Sequence, residues 1–94
     1  MLEIKHIGDQ VYNVAGRFDA SQIDTAKKVL DSIQTSVVLD CKDLEYISSA
    51  GLGMLLVTQK RLDEINHHIK LINLKKQIRD VFQYSGFDTI FEVA

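Results

Sequence analysis

Asp43-Leu44-Glu45-Tyr46-Ile47-Ser48-Ser49-Ala50-Gly51-Leu52-Gly53-Met54-Leu55-Leu56 joins two different hydrophobic periods. Before it, the apolar run Val37-Val38-Leu39 is short enough for a buried strand. After it, Leu52, Leu55, Leu56, Leu62 and Ile65 fall on one face at helical spacing, predicting a helix from Ser49 to about Asn66. Ser48 or Ser49 therefore occupies the N-cap position, where a side-chain oxygen accepts a bond from an unpaired backbone N–H. Gly51 and Gly53 fall in the first turn, where each costs about 1 kcal/mol relative to Ala. Bare backbone must be wanted there, and close approach of another molecule is the simplest reason.

Outward from this junction, the chain alternates strands and helices. Leu2, Ile4 and His6 alternate with Glu3 and Lys5, and Gly8-Asp9 turns the chain into a second strand through Val11, Tyr12, Val14 and Ala15. That strand is expected to end at Gly16. Asp19 or Ser21 then caps a helix whose apolar positions are Ile23, Ala26, Leu30 and Ile33. Ser36 to Leu39 reads as a Val-rich central parallel strand. Ile69 to Ile72 is another strand, and Asn73 is a candidate cap for a helix facing inward through Ile78, Val81 and Phe82. Gly86 suits a left-handed helix stop, and Thr89 to Val93 suits an edge strand or an irregular tail. The fold class is α/β: one domain with a mainly parallel sheet of four or five strands, an N-terminal antiparallel hairpin and three or four helices. Ligands of such sheets sit where strands end and helices begin, and Ser49 is at such a junction.

Bulk composition narrows the function. The 94 residues fit one modest core, and 11 basic against 13 acidic residues leave a net charge of −2 with no basic cluster for nucleic acid. Cys41 is the single cysteine, so no disulfide framework or thiolate metal cage is expected. No apolar run reaches the ~18 residues of a membrane span, and the N-terminus lacks a signal-peptide pattern. A cytoplasmic, disulfide-free protein without cofactor is the expectation.

The junction fails three enzymatic patterns. A phosphate-binding loop needs Gly-x-x-x-x-Gly-Lys-Ser/Thr, and no Lys follows these glycines. The dinucleotide pattern Gly-x-Gly-x-x-Gly breaks at Leu56. A nucleophile elbow needs Gly-x-Ser-x-Gly, and Ile47 stands at the first glycine. His67 and His68 belong to the far end of the same helix and cannot serve Ser49 as base; adjacent in a helix, they also point about 100° apart and do not converge on a metal. By itself, Ser49 is most simply a structural cap. A phosphate there would be tolerated by the free N–H groups and dipole of a helix start, adding about −1.5 to −2 charge to a surface a partner could otherwise approach.

Leu44-Glu45-Tyr46-Ile47-Ser48-Ser49-Ala50-Gly51-Leu52-Gly53 resembles the signature of STAS domains of the bacterial anti-sigma factor antagonist type. Gly16-Arg17-Phe18-Asp19 and Tyr84-Ser85-Gly86-Phe87 are similar to flanking features of the family, so the resemblance spans residues 1–94. It implies a non-catalytic module that, unphosphorylated, binds a serine kinase acting as anti-sigma factor. Phosphorylation releases it, and a metal-dependent Ser/Thr phosphatase restores it. The resemblance makes Ser49 the phosphoacceptor and Ser48 the runner-up, because Ser48 stands where many members carry Asp. Asp19, Ser48, Ala50, Gly51, Leu52, Gly53 and Met54 would line the partner surface, and the free domain would be a monomer with no catalytic residue, metal, nucleic-acid or membrane partner. A non-sigma output such as biofilm or secretion control is the alternative. A small-molecule or nucleotide site ranks far below, for want of a base near Ser49.

Overall fold

A computed structural model describes all residues, 1–94. Five strands form one sheet in the order β1-β2-β3-β4-β5. β1 (Leu2–Gly8) and β2 (Val11–Phe18) form the antiparallel hairpin, and β3 (Val37–Ile47), β4 (Ile69–Ile72) and β5 (Glu92–Val93) continue in parallel. Helices α1 (Ile23–Leu30), α2 (Ser49–Asp63) and α3 (Lys76–Ser85) connect successive parallel strands. The terminal edge strand is only two residues long, preceded by a 3-10 turn at Phe87–Thr89.

The sheet buries one face. Val14, Val37, Leu39, Ile69 and Leu71 join Ala26, Leu30, Leu52, Leu55, Leu62, Ile78 and Phe82 in the core. Residues of opposite parity, among them Glu3, Lys5, Asn13, Asp40 and Lys70, stay partly or fully exposed. β3 is thus a two-faced strand, not the fully buried central strand its valines suggest. Cys41 lies in the core, where burial, with the Asp40 charge second, pushes its thiol up to about 12. It packs as a small hydrophobe.

Two strands run further than their hydrophobic pattern predicts. β3 does not stop at Leu39 but continues to Ile47, and its pairing with β2 shifts register twice, between Asn13 and Ala15 and between Gly16 and Arg17. Each shift places an extra residue on β3, so its buried positions Val37, Leu39, Cys41, Leu44 and Ile47 lose their period of two. β2 passes through Gly16 to Phe18. Gly16 has φ +96°, and an added Cβ would stand 2.0 Å from the Met1 carbonyl oxygen, which accepts from the Arg17 N–H at 2.9 Å. Only glycine lets the strand pass that point.

The helices also depart in detail. Asp19 caps a 3-10 turn, Ala20–Gln22, ahead of α1, and Ile33 lies beyond α1 yet remains buried. α2 ends at Asp63, short of Asn66; Leu56 is half-buried and Ile65 exposed, while Thr58 and Gln59 take the buried face. Gln59 is accommodated because its Nε2 donates to Asp63 at 2.7 Å and its Oε1 accepts from the Ile69 N–H at 2.8 Å. Asn73 does not cap α3: it adopts φ 59° and donates to Asp40, leaving Lys75 as a cap without a side-chain bond. Val81 is exposed, and Gly86 closes the helix at φ 77° as expected.

Candidate functional site

The site forms where β2 and β3 end side by side. Phe18 pairs with Ile47, and the Ser48 N–H donates to the Phe18 carbonyl at 2.9 Å, so Asp19 emerges beside Ser48 and Ser49. The chain then turns into α2, whose first-turn N–H groups point back toward this edge.

The two serines have different tasks. Ser48, in extended backbone, is the N-cap: its Oγ accepts from the Gly51 N–H at 3.2 Å and donates to the Phe18 carbonyl at 3.3 Å. Ser49 is the first helical residue, exposed, and its hydroxyl makes no hydrogen bond within the chain. One hydroxyl is engaged twice and the other is free.

The residues expected to line a partner surface separate in the same way. Ala50 is exposed, and Gly53 and Met54 are half-buried. Val57, which no motif marks, is 63% exposed and extends them at helical spacing into a stripe along α2. Leu52, by contrast, is only 8% exposed and belongs to the core. Gly51 is buried, and a Cβ on it would lie 2.7 Å from the Phe18 carbonyl oxygen and 2.9 Å from Ile47 Cγ1. Its bare backbone is therefore required by the chain's own β2, which corrects the expectation of an external approach. At Gly53 an added Cβ meets nothing within 4 Å, so that backbone is open to solvent.

Asp19 sits across from the serines with its carboxylate held by Ser21, from the hydroxyl at 2.6 Å and the backbone N–H at 3.1 Å. The hydroxyl bond above all, opposed by some desolvation and aided by that N–H and by Arg17, holds the carboxyl below its usual value. Asp19 is thus an anion at neutral pH. Arg17 lies with its guanidinium carbon 4.4 Å from the Tyr46 ring centroid and its Nε 3.9 Å from the Asp19 carboxylate. Neither Arg17 nor Tyr46 carries a signal of its own in the sequence; only the β2–β3 register brings them opposite each other.

No histidine joins this site. The His67 ring nitrogen lies 3.1 Å from Ser36 Oγ, and His68 pairs with Glu92 at 3.0 Å, both at the other end of the sheet with the hairpin-borne His6. The most voluminous cavity, about 590 Å³, is there too, lined by His6, Tyr12 and Gln34 among others. None of the cavities is lined by Ser49 or by the stripe residues Ala50, Gly53, Met54 and Val57. No helix is long and apolar enough to cross a membrane.

Comparison with known proteins identifies the family and the fold. A family model described as the STAS domain matches residues 1–94. The chain is 45% identical over 65 residues to BtrV of Bordetella bronchiseptica, whose name makes it provisionally an anti-sigma factor antagonist; the match covers 69% of this chain and 56% of that protein. The chain thus matches little more than half the length of that relative. An anti-sigma factor antagonist from Mycobacterium paratuberculosis superposes with a TM-score of 0.81 at 18% identity, over 99% of this chain and 83% of the other. The Bacillus cell fate determinant SpoIIAA in its phosphorylated form gives 0.72 at 18% identity, over 100% of this chain and 91% of the other. At such identities the two structures speak for the fold.

Proposed function

This chain belongs to the STAS domain family, and from that premise we propose that it is an anti-sigma factor antagonist switched by phosphorylation of Ser49. The observation that carries the reading is the contrast between the serines: Ser49 Oγ is exposed and unbonded, whereas Ser48 Oγ is bonded to both Phe18 and Gly51. A kinase can take Ser49 into its active site without opening the fold. At Ser48 it would first have to break a helix cap worth about 1 kcal/mol.

Unphosphorylated, the stripe Ala50, Gly53, Met54 and Val57 would dock on a serine kinase acting as anti-sigma factor, with Asp19 and the Ser48 edge at its rim. Phosphate at Ser49 would leave the domain intact, because the free N–H groups and dipole of α2 favour an anion there. The same dianion would lie at the head of the docking stripe and would have to be desolvated for the partner to return. A metal-dependent phosphatase would remove it. This chain acts as substrate and ligand in the cycle, and the chemistry belongs to the two enzymes.

Intact-mass spectrometry with peptide mapping of the protein from its native cells tests the proposal. One added phosphate localised to Ser49 is expected, together with a Ser49→Asp variant that no longer retains the kinase. A phosphate on Ser48, or none under any growth condition, overturns it.

A further inference from the structure

Arg17 is the one cationic side chain of the junction, with the N-terminal ammonium group near enough for its charge to reach Asp19. Across residues 14–22 and 44–56 the charged side chains are Arg17, Asp19 and Glu45, so the segment carries 1 − 2 = −1 before modification. Arg17 is held only by the face of the Tyr46 ring and a 3.9 Å ion pair with Asp19. Its side chain is 55% exposed and its guanidinium makes no hydrogen bond within the chain, although it offers five donors. The Tyr46 ring supports its face, and its Nε is directed toward Asp19, the residue that emerges beside Ser48. Strand rise and spacing place the Arg17 and Ser49 backbones on the order of 10 Å apart, a gap that an extended arginine and a phosphoserine side chain cover between them.

We propose that Arg17 is the counter-charge of the switch, a positioning residue that turns from Asp19 to receive the phosphate on Ser49. The inference rests on the reading of Ser49 given above and adds the group that would hold the phosphorylated state. The guanidinium favours a dianionic phosphate, which offers it two oxygens at once, over Asp19, which presents only Oδ2 at 3.9 Å while its Oδ1 accepts twice from Ser21. The arrangement would screen the modified serine from Asp19 and Glu45.

Genetically encoded phosphoserine at position 49 makes the test independent of any kinase. A failure of this inference is then distinct from a failure of Ser49 to be phosphorylated in cells. The second ionisation of the phosphate, near pH 6, is followed by phosphorus NMR. The charged groups around it are Arg17, Asp19, Glu45, the N-terminal ammonium group whose charge reaches Asp19 and, on the first turn of α1, Asp24; the first turn of α2 has none. A nearby cation favours the dianion, so Arg17→Gln should raise the ionisation by about half a pH unit, less than a buried arginine–carboxylate pair gives because the site is exposed. Arg17→Lys should restore part of the shift, and Lys60→Gln, in the last turn of α2, should leave it unchanged. Equal titration of the Arg17→Gln and parent proteins overturns the proposal. So does loss of kinase binding by unphosphorylated Arg17→Gln with no change in titration, which would assign Arg17 to the partner instead.

Discussion

Gly51 and Gly53 lie two residues apart in the same turn of α2, one on its inner face and one on its outer face. The inner face is built for contact with the chain itself: Gly51 lets the helix start settle on the Phe18 carbonyl, and Leu52, Leu55 and Leu62 follow it into the core. The outer face, Ala50, Gly53, Met54 and Val57, makes no comparable use of its small residues. Folding accounts for the first glycine and leaves the second unexplained. A helix interior glycine with open space around it costs about 1 kcal/mol and gains nothing within the chain, which points to a contact outside it.

The contrast is most directly broken by adding one methyl group to each glycine. In Gly51→Ala the new carbon must displace the Phe18 backbone, an overpacking cost of about 1–3 kcal/mol only partly offset by the better helix propensity of Ala. Gly53→Ala should stabilise by up to about 1 kcal/mol. The propensity gain is common to both, so the two variants are expected to differ by about 1–3 kcal/mol, or on the order of 4–24 °C in melting temperature. Calorimetry that found them alike would mean that the helix start shifts freely against β2, and the division into faces would fail.

Gln59 sharpens the inner side of the comparison, since it is polar yet fully buried. Gln59→Leu keeps the volume and leaves the Ile69 N–H without its acceptor, so a loss of about 1–3 kcal/mol is expected. Urea denaturation reads this as a lower midpoint at unchanged slope. On the outer side, Val57→Asp should change stability by less than about 0.5 kcal/mol while weakening the cognate kinase by about tenfold or more, measured by calorimetric titration. Unaltered affinity would remove Val57 from the docking stripe and shorten it to the first turn.

Regular periods were legible in the sequence and interrupted ones were not. The hairpin, the alternation of strands and helices, the serine cap and the Gly86 stop all follow from local pattern, and they suffice for the fold. The hydrophobic pattern of β3 shows only four of its residues, because its two bulges turn a spacing of two into a spacing of three, which no longer resembles a strand. Apolar spacing points the inner face of α2 toward Leu56 and Ile65, whereas the polar Thr58 and Gln59 are buried there by hydrogen bonds with Met54, Asp63 and Ile69. At the site, sequence spacing located the serines but could not assign their tasks, which depend on the Phe18 carbonyl thirty residues away. The same long-range pairing makes Gly51 a packing residue and aligns Arg17 with Tyr46.

The smallest expected effect bears on the serines themselves. A phosphate on Ser49 gains the N-terminal dipole of α2, about 0.3–1 kcal/mol for an exposed anion, and a screened attraction to the exposed Arg17, and it meets repulsion from Asp19 and Glu45. Attraction and repulsion nearly cancel, so the melting temperature should move by no more than about 3 °C, a change that scanning calorimetry resolves. Encoded phosphoserine at position 48 is the control that gives the number meaning. There the modified oxygen can no longer donate to the Phe18 carbonyl, and its bulk must enter the space between β2 and the first turn of α2. A clear drop for position 48 with none for position 49 would place the switch on the outer face of the helix, where charge alters binding and leaves folding alone. A drop of similar size at both would mean that phosphorylation works by loosening the helix start, and the inner and outer faces would then be parts of one unit.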